Sequence, residues 1–126
     1  MKAAEQFLSV HPVLAVKDVL ASLDFYVNKL GFEVAFADHK TNPTYAGIRR
    51  GTVEIHLQWH HASEWEHTID RPMLRFLVLN TSALFEEYKT KEVFHAQTSL
   101  KQTTWGTKEF AFYDIDKNGL TFYEDV

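Results

Sequence analysis

The same order of predicted elements occurs twice along this chain, with a period of roughly 60 residues. Each copy contains a strand, a helix and three more strands, and the copies cover about residues 8–61 and 72–126. Antiparallel strands that share one helix indicate an α+β fold, here two tandem βαβββ units that form curved sheets around a cleft. A length of 126 residues is typical of one domain, so we predict a single domain over 1–126.

The first predicted helix has a signal at each end. Asp18 can cap its start, because a carboxylate accepts hydrogen bonds from the free N–H groups of a first helical turn. Gly31 can end it, because glycine readily takes the left-handed conformation. We therefore predict a helix over 17–32. The strands of this unit are expected at 10–16, 32–38, 45–50 and 52–59.

The second unit has the same pattern with weaker boundaries. Its helix is predicted over 80–94, capped by Thr81 or Ser82, with apolar residues that repeat on an inner face. A turn is predicted at 114–119, where Asp, Asn and Gly all tolerate turn conformations. The strands are expected at 72–79, 95–102, 107–114 and 119–126, and the segment 95–102 has the poorest strand pattern.

Alternation along the last strand of the first unit divides its side chains between two faces. Ile55 and Leu57 fall on one face, which we expect to pack on the helix. Glu54, His56 and Gln58 fall on the other face, which we expect to line the cleft. In the first strand, the same alternation makes His11 a candidate for the same cleft, on the face opposite to Leu14 and Val16.

Composition and charge exclude several classes of function. The chain has no cysteine, so disulfides, thiolate metal sites and a cysteine nucleophile are excluded. The net charge is −4 and the one basic pair is Arg49-Arg50, so we expect no nucleic acid partner. Apolar stretches are too short for a membrane span, and the first residues lack the apolar run of a signal peptide. We therefore expect a cytoplasmic protein without a membrane partner.

Two long segments resemble a known family. The segments are HPVLAVKDVLASLDFYVNKLGFEV, residues 11–34, and WGTKEFAFYDIDKNGLTFYED, residues 105–125. Together with the repeated βαβββ unit, they resemble the vicinal oxygen chelate superfamily, which includes glyoxalase I, the extradiol dioxygenases and the bleomycin resistance proteins. The closing segment is most similar to the bleomycin resistance branch. It departs from that branch at Ile115 and Lys117, where the family turn usually has Pro and Gly.

The resemblance implies four positions for metal ligands, one on the first and last strand of each unit. Here these positions carry His11, His56, Leu74 and Thr121. Leu74 cannot ligate and Thr121 rarely does, while Arg75 is expected on the opposite face. A catalytic zinc site needs at least three protein ligands, and no carboxylate is expected at hand to complete a facial triad for iron. We therefore predict no cofactor, with a divalent metal such as Zn, Ni or Fe at His11 and His56 as the alternative.

Four further histidines lie at the end of a strand, in the linker or at the start of a weak strand. No pair among them has the helical spacing of a metal motif, so we expect them on the surface or in hydrogen bonds. They are His60, His61, His67 and His95.

Resemblance to the bleomycin resistance branch implies a small-molecule binder that sequesters a flat or cationic ligand without metal chemistry. Trp105 could stack on a flat ring, because a rigid indole loses little entropy on binding. Glu54 and Gln58 offer acceptors to a cationic ligand, and Tyr123 offers a hydroxyl group. The predicted ligand-binding residues are His11, Glu54, His56, Gln58, Trp105, Thr121 and Tyr123.

Three alternatives remain open on the sequence. One is a metal-dependent lyase or dioxygenase of the glyoxalase type that uses His11 and His56. Another is metal-free catalysis in which His56 or Glu54 is a general base. The third is a domain whose only role is association, because the resemblance also implies a homodimer.

Overall fold

The computed structural model describes residues 4–65 and 71–126, and its elements follow the predicted order. The first unit contains β1 (Val13–Val16), α1 (Val19–Asp24), β2 (Glu33–Ala37), β3 (Tyr45–Arg50) and β4 (Val53–Trp59). The second contains β5 (Met73–Leu77), α2 (Thr81–Lys89), β6 (Lys101–Gln102), β7 (Thr107–Tyr113) and β8 (Gly119–Asp125). The α+β class and the two βαβββ units are therefore confirmed.

The two sheets have the same topology. Their strand orders are β1-β4-β3-β2 and β5-β8-β7-β6, and the first pair of each sheet is parallel. Val13 pairs with His56 in the first sheet, and Arg75 pairs with Thr121 in the second. These pairs fix which residues of the two units occupy equivalent positions.

The boundaries of α1 follow from its predicted signals. The carboxylate of Asp18 accepts a hydrogen bond of 3.2 Å from the N–H of Ala21. After Asp24 the helix continues as a π-helical turn, Phe25–Lys29. Gly31 has a φ of +80°, so it ends the helix in the left-handed conformation as predicted.

The second unit departs from prediction around α2. Asn80 caps the helix by accepting from the N–H of Ala83, so the prediction of Thr81 or Ser82 is wrong. The helix ends at Lys89 rather than at 94, and Glu92 takes a φ of +60° in the following turn. The apolar pattern beyond Lys89 is still real, because Phe94 packs on Phe85 with 4.9 Å between ring centroids. The strand expected at 95–102 is reduced to two residues.

The helices cover one face of each sheet and enclose a common buried core. In the second unit, Tyr88 of α2 lies against Phe110, Phe112 and Phe122, whose rings are 5.2 to 6.4 Å apart. Burial of rings of this size contributes roughly 1.5–3 kcal/mol for each side chain. Among the described residues, no helix is long and apolar enough to cross a membrane.

Two buried hydrogen bonds and one partly exposed ion pair join the two units. The hydroxyl of Tyr26 donates to Asp114 Oδ2 over 2.7 Å, and that of Tyr88 donates to the carbonyl of Leu30 over 2.7 Å. The guanidinium of Arg50 donates from both terminal nitrogens to the carboxylate of Glu87. The turn after β7 and the helix α2 are therefore both anchored to the first unit.

Candidate functional site

One face of the first sheet is not covered by a helix, and we call it the first outer face. The alternation predicted for β4 is confirmed, since Ile55 and Leu57 are fully buried against the helix. Glu54 and His56 point to the first outer face, where each side chain is 16% exposed. The pairing of Pro12 continues that of β1, because its carbonyl accepts from the N–H of His56. This pairing brings the preceding residue, His11, beside Glu54.

The carboxylate of Glu54 is the centre of a side-chain cluster on the first outer face. Its Oε2 atom lies 2.8 Å from Nε2 of His56 and 3.6 Å from Nε2 of His11. Its Oε1 atom accepts from Arg49 over 2.8 Å. The two imidazole rings are stacked, with centroids 5.0 Å apart and 24° between their planes. The structure thus brings three of the predicted residues together.

The second ring nitrogen of His56, Nδ1, forms a hydrogen bond with Tyr45. The hydroxyl of Tyr45 lies 2.7 Å from Nδ1. Because the ionised Glu54 can only accept, the neutral imidazole donates from Nε2 and accepts from Tyr45 at Nδ1. The chain from Tyr45 through His56 to Glu54 therefore fixes both the orientation and the tautomer of the imidazole.

Glu54 is strongly acidic in this setting. The hydrogen bond from His56, followed by the one from Arg49, outweighs the effect of burial and lowers the pKa of Glu54 to about 2. The carboxylate is therefore ionised at neutral pH, and it lies between the guanidinium of Arg49 and two imidazoles.

Aromatic side chains complete this part of the face. Phe36 of β2 pairs with Gly47 of β3, which in turn pairs with His56. A side chain at Gly47 would overlap the Phe36 ring, so glycine is what allows the ring to lie flat over β3. The ring meets His56 edge-on at 5.1 Å and stacks on Tyr45 at 6.1 Å.

The corresponding face of the second sheet, the second outer face, carries a different set. Arg75 donates to Glu109 over 3.0 Å and lies 4.4 Å above the ring of Tyr123. Burial raises the pKa of Glu109, but the hydrogen bonds from Arg75 and Thr107 outweigh it, and the pKa lies below its usual value. The hydroxyl of Thr121 donates to Met73 Sδ over 3.1 Å. This face therefore offers a paired cation and an aromatic ring.

Residues 9–122 match the family model described as the Glyoxalase/Bleomycin resistance protein/Dioxygenase superfamily. The chain belongs to this superfamily. A bleomycin resistance protein of Geobacillus stearothermophilus is 29% identical over 130 residues, which cover 91% of this chain and 95% of that protein. The superfamily resemblance read from the sequence is thereby confirmed.

Solved structures of superfamily members have the same fold. The bleomycin-binding protein of bleomycin-producing Streptomyces verticillus, solved with copper(II)-bleomycin, superposes with a TM-score of 0.74 at 29% identity. The match covers 94% of this chain and 97% of that one. The bleomycin resistance determinant encoded on the transposon Tn5 gives a TM-score of 0.77 at 16% identity, over 94% and 98% of the two chains. The likeness to the Tn5 protein shows the fold alone.

The four metal positions implied by the superfamily resemblance are only half suited to a metal. His11 and His56 lie side by side, but Leu74 packs on the core and Arg75 faces outward, so their predicted faces are reversed. The strand register explains the error. Because Arg75 pairs with Thr121 as Val13 pairs with His56, the residue equivalent to His11 is Met73. Met73 and Thr121 give the second sheet no imidazole or carboxylate at these two positions.

A carboxylate does lie beside the two histidines, so the expectation that none is at hand is wrong. Glu54, His11 and His56 place ligand atoms within 4.8 Å of one another, as a metal centre would require. The sequence signal was present, since Glu54 and His56 are two residues apart on one strand. The family resemblance does not point to Glu54 as a ligand, because Glu54 lies outside the four positions that the resemblance implies.

Three further members of the cluster were not predicted. They are Phe36, Tyr45 and Arg49. Phe36 lies on β2, and Tyr45 and Arg49 lie on β3, rather than on β4 itself. The two-residue turn Gly51-Thr52, between the strands predicted at 45–50 and 52–59, sets the register of β3 against β4 and places Gly47 opposite His56.

The remaining predicted site residues lie farther from Glu54, although Gln58 pairs with Tyr45 across the strands. The amide oxygen of Gln58 is 3.1 Å from Nε2 of His60, at the end of β4. Trp105 is 68% exposed in the turn between β6 and β7. Thr121 and Tyr123 belong to the second outer face. Within one described chain, the structure does not bring these residues to Glu54.

The other histidines make local hydrogen bonds. His60 pairs with Glu64 at 2.9 Å, and Nδ1 of His61 lies 3.0 Å from the hydroxyl of Ser63. Nδ1 of His95 accepts from the N–H of Gln97. His67 lies outside the described residues.

A cavity of about 520 Å³ lies between the two units, away from Glu54. Its walls are mainly apolar and include Phe32, Phe76 and Leu84, while the Arg50–Glu87 ion pair lies at its edge. The first outer face, in contrast, is open, because Val13, Val34 and Phe36 are between 42% and 49% exposed.

Proposed function

We propose that this protein is a small-molecule binder of the bleomycin resistance type, which sequesters a flat or cationic ligand without metal chemistry. The observation that carries the proposal is the ionised Glu54 beside two imidazoles, one of which, His56, also contacts the aromatic rings of Phe36 and Tyr45. A partly buried carboxylate attracts a cationic group. The rings of Phe36, Tyr45 and His56 offer surfaces on which a flat group can stack. Relatives named for bleomycin resistance and bleomycin binding support this ligand class.

We further propose that a homodimer forms the working cleft. In one chain the two outer faces are open and carry half-exposed apolar side chains, including Phe36, Met73 and Leu77. Near the N-terminus, Phe7, Leu8 and Val10 are 88–93% exposed, which a second copy would cover. In such a dimer, the first outer face of one copy would lie opposite the second outer face of the other copy, and the two faces together would form one cleft.

This arrangement would give roles to the residues that lie apart in a single chain. Tyr123 and Thr121 would form the opposite wall, and Trp105 would lie at its rim as a stacking surface. Gln58 would extend the polar lining beyond His56.

We propose that the units at about 8–61 and 72–126 act together as one domain. We also propose that the protein works in the cytosol, because a chain without cysteine needs no oxidising environment.

The second candidate is a metal-dependent lyase or dioxygenase that uses His11 and His56. The observation that favours it is the carboxylate of Glu54 beside both imidazoles, because two histidines and one carboxylate form the facial triad of non-haem iron enzymes. Turnover of a superfamily substrate that requires added metal would support this candidate over the binder.

The binder is tested by calorimetry with metal-free bleomycin, copper(II)-bleomycin and a panel of flat cationic drugs, on protein without a His-tag. At least one compound should bind saturably and raise the melting temperature without being altered, since a ligand that binds only the folded state stabilises it. Glu54→Gln should weaken that binding, whereas Glu64→Gln, which removes an exposed carboxylate near the end of β4, should not. Equal binding by both variants would contradict the role of Glu54.

A further inference from the structure

We propose that a cavity beside the end of β4 is a second ligand site, which takes a small aromatic carboxylate. The cavity has a volume of about 280 Å³. It lies on the helix side of the first sheet, because alternation places Trp59 on the same face as Ile55 and Leu57. The site is therefore separate from the first outer face and needs neither Glu54 nor a second copy of the chain. Its walls are formed by Lys17, Trp59, His60, Ala62 and Trp65.

Strand pairing brings the walls of this cavity together. Val16 pairs with Trp59 across the parallel strands β1 and β4, and the N–H of His60 donates to the carbonyl of Val16 over 3.1 Å. Lys17 follows Val16 directly, so it lies beside His60. The N–H of Lys17 in turn donates to Asp116 Oδ1 over 3.2 Å, which fixes the backbone from which the ammonium group extends.

The ring side chains of the cavity are held in place. The indole N–H of Trp65 donates to the carbonyl of His60 over 3.2 Å. The imidazole of His60 lies 2.9 Å from Glu64 Oε1 and 3.1 Å from Gln58 Oε1. A ligand would therefore order few side chains on binding, which lowers the entropic cost. The ring of Trp59 is 46% exposed and offers a surface on which a flat ligand can stack.

Positive charge lies at one wall of the cavity. Nζ of Lys17 is 5.2 Å from the centre of the Trp65 ring, and the guanidinium carbon of Arg71 is 4.0 Å from the same centre. An aromatic face attracts cations, and these two side chains supply them. A cationic ligand would be repelled by both charges at this ring, whereas a carboxylate would pair with the ammonium group of Lys17.

Two neighbouring carboxylates oppose an anionic ligand and limit its affinity. Asp116 directs its oxygens at the N–H of Lys17 and, over 3.3 Å, at the hydroxyl of Ser22. Glu64 pairs with His60, and its side chain is half-exposed, so solvent screens its charge. Both carboxylates therefore already have partners other than the ammonium group of Lys17.

The size of the cavity restricts the ligand to one or two fused rings. Sites for drug-sized compounds usually have volumes of about 300–1,000 Å³, and this cavity is slightly smaller. The compounds of the proposed function belong to a different face and carry the opposite charge. Binding at the two sites can therefore succeed or fail separately.

The test is a titration of 2-naphthoate, and of its neutral isostere 2-naphthamide, into the 126-residue chain labelled with nitrogen-15. The chain has three tryptophans, whose indole N–H signals are assigned with Trp→Phe variants. The signals of Trp59 and Trp65 should shift saturably, and that of Trp105 should not. The carboxylate should bind about 10-fold more tightly than the amide, because a hydrogen bond between charged groups is stronger than one to a neutral group.

Lys17→Met keeps the apolar stem and removes the charge, so it should abolish the preference for the carboxylate and leave the affinity for the amide unchanged. Trp59→Leu should weaken the binding of both compounds about 2- to 10-fold, as loss of a stacking ring does. Lys89→Met is the matched control, because Lys89 is exposed on α2 and lies outside the cavity. It should retain the preference.

Circular dichroism and melting of each free variant separate loss of the site from loss of the fold. An absence of saturable shifts at Trp59 and Trp65 in the wild type would overturn the site. Equal affinity of the wild type for the two compounds would overturn the charge of the ligand, and so would a preference for the carboxylate that persists in Lys17→Met.

Discussion

Tyr45 and His56 lie on neighbouring strands and share a hydrogen bond of 2.7 Å between the phenolic oxygen and Nδ1. This bond links β3 to the side chain at the centre of the first outer face. It holds Nδ1 of His56, while Nε2 of the same ring lies 2.8 Å from Oε2 of Glu54.

Removal of the phenolic hydroxyl should release the imidazole without unfolding the sheet. Tyr45→Phe should lower the free energy of unfolding by about 1 kcal/mol, the usual net value of one hydrogen bond. Because Glu54 still accepts from Nε2, nitrogen chemical shifts of the neutral His56 ring should report the tautomer protonated at Nε2 in both the wild type and the variant. Tyr113→Phe, at a half-exposed tyrosine, is the control and should change neither quantity.

Gly47 should be required for the position of the Phe36 ring. A methyl group at this position would overlap that ring, so Gly47→Ala should lower the free energy of unfolding by about 1–3 kcal/mol through overpacking. Removal of the ring removes the overlap. In a double-mutant cycle measured by urea denaturation, Phe36→Ala should therefore make Gly47→Ala much less costly. Additive effects would mean that the ring does not lie over Gly47.

The ion pair between Arg50 and Glu87 should contribute to stability mainly above acidic pH. The hydrogen bond from Arg50 lowers the pKa of Glu87 below the ordinary 4.5, so the folded state holds the proton less strongly than the unfolded state. The contribution is therefore present at neutral pH and is lost on acidification, as the pH falls below 4.5 and through the lower folded pKa. Both side chains are partly exposed, so it should amount to at most about 1 kcal/mol.

Urea denaturation of Glu87→Gln across this pH range should show a shallower loss of stability than the wild type. Glu86→Gln, on an exposed position of the same helix, should leave the pH dependence unchanged. An equally steep acid limb in Glu87→Gln would show that other carboxylates account for it.

Lys117 adopts a conformation that favours glycine, with a φ of +69°. Its side chain is exposed, so Lys117→Gly should raise the free energy of unfolding by up to about 1 kcal/mol, after allowance for the greater freedom of the unfolded glycine chain. Lys117→Ala removes the same charge but keeps the strain and should give no such gain. Thermal unfolding of the two variants separates the backbone effect from the charge effect.

Much of the fold could be predicted because its signals are local. Alternation placed Ile55 and His56 on opposite faces, and Asp18 and Gly31 marked the ends of the first helix. Local patterns failed at α2, because apolar residues continue to reach the core after the backbone has left the helix. In the structure Asn80 caps α2, although the neighbouring Thr81 and Ser82 are also good caps. Side-chain chemistry alone does not distinguish these residues.

The candidate site was harder to predict because it depends on pairing between strands. His11, Glu54 and His56 were identified from alternation and resemblance, but their distances follow from the parallel pairing of β1 with β4. The contact of Tyr45 with His56 follows from the register of β3 against β4, which the sequence pattern does not give. The face of Arg75 was predicted wrongly because it follows from the register of β5 against β8. Each error concerned a contact between residues distant in sequence.

The equivalence of the two sheets bears on how this chain could have diverged from a duplicated ancestor. Met73, Gly119 and Thr121 stand where the first unit has His11, Glu54 and His56, so the two units share a backbone and only the first has imidazoles and a carboxylate at these positions. Any side chain at Gly119 would collide with that of Met73. Because the contact is with the flexible end of the Met73 side chain, which can move aside, the second sheet could acquire a carboxylate at position 119 and an imidazole at position 73 by separate single substitutions.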